Sequence, residues 1–188
     1  MAAQRRGSVA ELAAWRGRAG DPAGAAAELG RVAADYLRIL GPDHPSLPLI
    51  LDSHARALDA VGDAAGAAEA FRRVAVGNER HLGRDHPNTL TARHNHGHQL
   101  GLAGEHAAAT AVLGPVLADR LKYQGPDDEG TLSTRHSLAR WLGEAGNPSA
   151  ATAAYEPLLS DCLRVLGPEH RLTLVVRSNL DRFRAAAC

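Results

Sequence analysis

Leu40-Gly41-Pro42-Asp43-His44-Pro45 returns as Leu82-Gly83-Arg84-Asp85-His86-Pro87, as Gln124-Gly125-Pro126-Asp127-Asp128-Glu129 and as Leu166-Gly167-Pro168-Glu169-His170-Arg171, each copy starting 42 residues after the last. A period of roughly 20–50 residues means stacked units rather than one wound-up core. Gly20, Gly62, Gly104 and Gly146 keep the same step, as do Ala25, Ala67, Ala109 and Ala151. So do the bulky set Leu29, Phe71, Leu113 and Tyr155 and the aliphatic set Val32, Val74, Val116 and Leu158. Between these markers apolar residues fall at helical spacing, with no alternating stretch that would argue a strand. Each unit is therefore two helices.

The first helix of a unit starts at the Asp-His-Pro or its equivalent and ends near the in-register glycine; the second runs to the next Leu-Gly-Pro, where Gly supplies a left-handed stop and Pro forbids continuation. This places first helices near 8–18, 45–60, 87–102, 129–144 and 171–186, and second helices near 22–40, 64–81, 106–123 and 148–165. Ala55, Gly97 and Ala139 are small so that the partner helix approaches closely, and Ala67, Ala109 and Ala151 answer them. Asp181 holds that register in the last helix, a charge suited to a terminal cap. Pro115 and Pro157 lie inside second helices and predict kinks near Ala111–Pro115 and Ala153–Pro157.

The unbroken period over 188 residues argues one elongated domain, 1–188, with units at 7–41, 42–83, 84–125 and 126–167 and a cap at 168–188. Twenty-one basic against 21 acidic side chains remove the global electrostatic argument for nucleic acid or an anionic membrane, and 4% aromatics leave no base-stacking platform. Cys162 and Cys188 have no framework spacing, which suggests a reducing compartment. The segment Met1–Arg18 lacks an apolar run suited to a signal peptide or membrane span, so a cytoplasmic protein is expected. No nucleophile elbow, phosphate-cradling loop or Cys pair with metal spacing occurs, and no cofactor is expected. The richness in Ala, Gly and Arg fits a GC-rich bacterial genome.

The linker and the helix motif that follows it resemble the tetratricopeptide repeat family, in its long-unit, kinesin-light-chain-like branch that includes many actinobacterial proteins. In that branch a Leu-Gly-x-Asp-His-Pro linker precedes a first helix carrying Asn-Asn-Leu-Ala. The motif reads here Arg93-His94-Asn95-His96-Gly97, Arg135-His136-Ser137-Leu138-Ala139 and Arg177-Ser178-Asn179-Leu180-Asp181, with Leu51-Asp52-Ser53-His54-Ala55 the most divergent copy. The resemblance implies an all-α, right-handed superhelical solenoid of antiparallel helix pairs, about four units plus a C-terminal capping helix. It also implies a concave groove lined by the first helices, whose stripe starts one residue after the recurrent arginine position. That stripe reads Asp52 and Arg56; His94 and His98; His136, Arg140 and Glu144; then Ser178 and Arg182.

Similar proteins use this stripe with adjacent Asn side chains to hold an extended peptide. Asn95 and Asn179 match those positions, whereas Ser53 and Ser137 replace them. Arg56, Arg140 and Arg182 can pair with a carboxylate or phosphate, so an acidic peptide or an anionic small molecule is the expected ligand; the alternative is that they solvate the wall or pair with Asp52 and Glu144.

Ten histidines are the compositional oddity. His44, His86 and His170 belong to the linker and are expected to hold its turn by hydrogen bonds. His54 and His96 replace the Leu138 and Leu180 of later units, which predicts buried neutral rings with a hydrogen-bond partner. His106 opens a second helix and reads as exposed. His94 and His98 stand one turn apart, with His136 on the next rung and Asp52 on the previous one, a pattern that can share a metal or pass a proton.

Two functions follow. One is a scaffold-like protein-interaction module binding an extended or acidic segment in its groove. The other is a small-molecule-binding or catalytic protein of a bacterial biosynthetic pathway, using His94, His98, His136, Asp52 and Arg140. The polar closing helix, with Arg177, Arg182 and Arg184, argues against stacking at that end, while the Ala-rich stretch from Val9 to Trp15 argues less clearly; a monomer or weak homodimer is expected.

Overall fold

Seven glycines 21 residues apart, Gly41, Gly62, Gly83, Gly104, Gly125, Gly146 and Gly167, adopt φ between 79° and 94° in a computed structural model that describes residues 21–187. Each stands one or two residues beyond a helix end, where a side chain would be strained. The two glycine registers read from the sequence therefore interleave into one series, and the 42-residue unit is built from two halves of equal length.

The helices these stops define are α1 (Pro22–Leu40), α2 (Leu47–Ala60), α3 (Ala64–Leu82), α4 (Pro87–Leu102), α5 (His106–Tyr123), α6 (Glu129–Glu144), α7 (Pro148–Val165) and α8 (Arg171–Ala187). Every expected boundary within the described residues falls within two positions of these. The helix expected near 8–18 lies outside the described residues, as does Cys188. The described residues form no strand, and no helix is long and apolar enough to cross a membrane.

Helix starts are held by side chains that accept the otherwise orphaned first-turn N–H groups. Asp21, Asp63, Asp128 and Asn147 accept from Gly24, Gly66, Thr131 and Ala150 at 2.8–3.1 Å. In the linkers the imidazole does this work, as expected. Nδ1 of His44, His86 and His170 accepts from the N–H of Ser46, Asn88 and Leu172 at 3.2, 3.1 and 3.3 Å. The α5 and α7 helices run on through Pro115 and Pro157.

The chain divides into two compact units, one ending at Ala103 and the other starting at Gly104. In the first, α1 packs on α2, α2 on α3 and α3 on α4. Its core joins Ala33, Tyr36, Leu47, Ile50, Leu51 and Val74, with Ala55, Ala70 and Phe71 forming a second cluster. In the second, α5 packs on α6, α6 on α7, α7 on α8, and α8 also touches α6. Its core joins Leu132, Ala151, Tyr155, Leu158, Val176, Leu180 and Phe183. The small residues Ala55, Ala67, Ala109, Ala139 and Ala151 are all essentially inaccessible, and Asp181 is exposed.

Linker acids are tied to the end of a neighbouring second helix. Arg80 holds Asp43 at 2.6 Å, and Arg164 holds Asp127 through two nitrogens, one at 2.9 Å. Residues 80 and 164 are two periods apart, as are 43 and 127, so the same contact recurs in each unit.

Candidate functional site

The ten residues expected to line a ligand site divide between the two units, and each group has its own geometry. In the first unit Asp52 and Arg56 project from α2 one turn apart, and Arg56 Nε donates to Asp52 Oδ2 at 2.7 Å. They border a cleft of about 350 Å³ that α3 and α4 complete with Asn78, Asn88 and Thr91. Asn78 Nδ2 donates to the Asn88 carbonyl at 3.3 Å, tying the two helices together beside the opening. Leu49, next to Asp52 on the cleft wall, is 71% exposed, an unusual outlay of apolar surface for a residue between two buried turns.

His94, Asn95 and His98 lie half-buried on α4. The His94 and His98 rings are parallel to within 7°, with centroids 6.2 Å apart. His96, between them, points elsewhere: Nδ1 donates to the Ala68 carbonyl at 2.9 Å, the hydrogen-bonded role expected for it. His54 packs against Gly30. Burial, and then the charge of Arg73, hold it below the usual imidazole range and so toward the neutral form.

In the second unit His136 is buried on α6, and the buried Tyr155 of α7 sets its hydroxyl 3.2 Å from both His136 Nδ1 and the His136 carbonyl oxygen. Tyr155 in turn stacks on Phe183 at 5.9 Å. Burial pushes the Tyr155 phenol well above its ordinary range, against the opposing charges of Arg140 and Arg182 and with the support of Glu144. The charges of those three stripe residues therefore act on a hydroxyl that the sequence pattern presents only as a bulky core residue. Its register partners Leu29, Phe71 and Leu113 have no polar atom to betray it.

Arg182 of α8 reaches Glu144 at the end of α6 at 2.8 Å, lies over the Phe183 ring and donates to Asn179 Oδ1 at 3.3 Å. Arg140 is half-buried with its guanidinium 4.4 Å from the Trp141 ring centroid, and its Nε is buried with no hydrogen-bond partner among the described residues. The arginines at 56 and 182 thus already hold Asp52 and Glu144, whereas Arg140 makes no ion pair among the described residues. Among the described residues no three His, Cys, Asp or Glu side chains are grouped so as to hold a metal ion.

His106, expected to be exposed, is instead half-buried, with its ring stacked on Trp141 at 5.8 Å and 8°. Spacing along α5 gave no warning, because the partner surface comes from α6.

The tetratricopeptide repeat profile matches residues 9–46, 50–88 and 131–172. Among solved structures, a single-substitution variant of a Podosopora anserina kinesin light chain with nearly identical TPR-like repeats is 26% identical with a TM-score of 0.80, over 97% of this chain and 86% of that one. A second crystal structure of those Podosopora anserina repeats is also 26% identical, with a TM-score of 0.78 over 97% and 87%. BtubC (BKLC) from P. vanneervenii is similar in fold, at 15% identity and a TM-score of 0.65 over 98% of this chain and 80% of its own. No curated protein matches.

Proposed function

Since the chain belongs to the tetratricopeptide repeat family, whose repeats generally serve as protein-interaction modules, we propose that it binds an extended peptide segment of a partner protein in the cleft beside the first-helix residues Asp52 and Arg56. The observation that carries this reading is the cleft of the first unit. Asp52, Arg56, Asn78, Asn88 and Thr91 offer donors and acceptors around about 350 Å³, and Leu49 offers an exposed apolar surface beside them. An extended backbone needs paired hydrogen-bonding groups at intervals, with a pocket for an alternate side chain.

An acidic partner segment would find Arg56 and Arg182 already paired with Asp52 and Glu144, whereas the half-buried Arg140 makes no ion pair among the described residues and would bind a carboxylate through its terminal nitrogens, its Nε being buried. The small-molecule or catalytic reading has less support, because Asp52 is committed to Arg56 and His136 to Tyr155.

Peptides selected from a random library on the whole chain test the proposal. Their affinity should fall at least about tenfold with Asn78→Ala plus Thr91→Arg, and more with Arg140→Ala than with Arg182→Ala, in variants that circular dichroism shows to be folded. If no peptide is selected, or if all of these variants bind selected peptides as the parent does, the reading fails.

A further inference from the structure

The first unit has a second cavity that the peptide proposal does not use. It measures about 150 Å³ and opens between α1, α2 and α3, with Pro48 as the wall it shares with the cleft. Leu37, Leu47, Leu51 and Val76 give it an apolar body. α3 adds three arginines to the lining, Arg72, Arg73 and Arg80.

Two of these charges are neutralised within the unit. Arg72 holds Glu69 through two nitrogens at 2.7 and 2.8 Å, and Arg80 holds Asp43 at 2.6 Å. Arg73 is half-buried and makes no ion pair or hydrogen bond among the described residues, although its charge reaches Glu69, which Arg72 already holds. A guanidinium without a direct ion pair in the lining of a largely apolar pit favours a ligand that brings an anion and an apolar group together. A cavity of about this size accepts one benzene-sized body.

We infer that this cavity is a binding site for a small organic monocarboxylate with an aromatic or branched apolar body, its carboxylate on Arg73 and its body against Leu37, Leu47 and Val76. Gly77 belongs to the lining as well. A Cβ there would come within 2.7 Å of Pro48 Cγ, so glycine lets α3 close on α2 and set the depth of the pit.

Benzoate is the probe, titrated into the whole chain by calorimetry and by amide-shift mapping. The expected result is saturable binding with shifts at Leu37, Leu47, Arg73 and Val76, at least about tenfold tighter than acetate, which lacks the body, or benzyl alcohol, which lacks the charge. Arg73→Gln should weaken it at least about tenfold, and so should Val76→Asp, which places an anion in the pit at a position already 40% exposed and so spares the core. Circular dichroism confirms that both variants fold. Arg56→Gln in the neighbouring cleft should leave benzoate binding unchanged, so this result stands or falls apart from the peptide proposal. Absence of saturable binding, equal affinity for benzoate and benzyl alcohol, or unaltered affinity in both Arg73→Gln and Val76→Asp overturns the inference.

Discussion

The hydroxyl of Tyr155 sits 3.2 Å from both Nδ1 and the carbonyl oxygen of His136, inside the apolar core between α6 and α7. A buried hydroxyl without such a partner would be a net cost, so the pair explains why tyrosine is tolerated where the other units carry Leu29, Phe71 and Leu113. Tyr155→Phe should lower unfolding free energy by about 1 kcal/mol at neutral pH in urea titrations. The sign reverses in alkali. Because the folded-state phenol is held above its ordinary value near 10, the unfolded chain ionises first, and stability is lost as pH rises past that value. The parent should therefore lose stability above about pH 10 more steeply than Tyr155→Phe; parallel curves would refute the buried hydroxyl.

Arg120 and Asp128 show how the divergent third linker is repaired. Arg120 takes the register of Tyr36, Asn78 and Cys162, yet it is 5% exposed. Its Nη1 donates to Gln124 Oε1 at 2.8 Å and stands 3.7 Å from Asp128, the residue replacing the linker histidine. Burial pulls the guanidinium below its usual range, and Asp128 opposes that shift. Asp128 is partly exposed and Arg120 keeps its bond to Gln124, so Asp128→Ala should cost about 2 kcal/mol, about half of it the lost helix cap. Arg120→Leu should be neutral to within about 1 kcal/mol, and with Arg120→Leu present Asp128→Ala should cost only the cap, about 1 kcal/mol. A denaturation cycle over the four proteins measures the coupling, and additivity would show that the pair does not interact.

The linker histidines act as helix caps through one ring nitrogen, and Asp128 does the same job with a carboxylate. His86→Ala should therefore cost about 1 kcal/mol, and His86→Asp should recover most of it, because a carboxylate both caps the first turn and favours the positive end of the helix. Thermal unfolding of the two variants checks this. Equal losses would mean that the imidazole serves packing rather than capping.

Helix limits were legible because their determinants are local: a positive-φ glycine, a proline and a capping side chain within a few residues of each end. The stripe was legible as a face and not as a site. Spacing along α2 places Arg56 a turn from Asp52 and so predicts their pairing as one option, but the Glu144–Arg182 contact depends on how α8 lies against α6. The stacking of His106 on Trp141, the Tyr155–His136 bond and the burial of Arg120 are likewise contacts between elements. A helical period names which side chains share a face and leaves open what stands opposite them.

Gly143 offers a test of that interhelical packing. It lies near the end of α6, where helix propensity alone favours alanine by about 1 kcal/mol. An added Cβ, however, would run into Cε1, Cζ and Cδ1 of Phe183 on α8. Phe183 is 4% exposed and stacked on Tyr155, so its ring has little room to retreat. Overpacking of this kind costs about 1–3 kcal/mol and should outweigh the helical gain, leaving Gly143→Ala less stable than the parent. Phe183→Leu should cost less with Gly143→Ala present than in the parent, because the smaller side chain relieves the overlap it would otherwise leave as a cavity. Urea unfolding of the two single variants and the double variant decides it: a stabilising Gly143→Ala would mean that α8 does not press on α6 in solution.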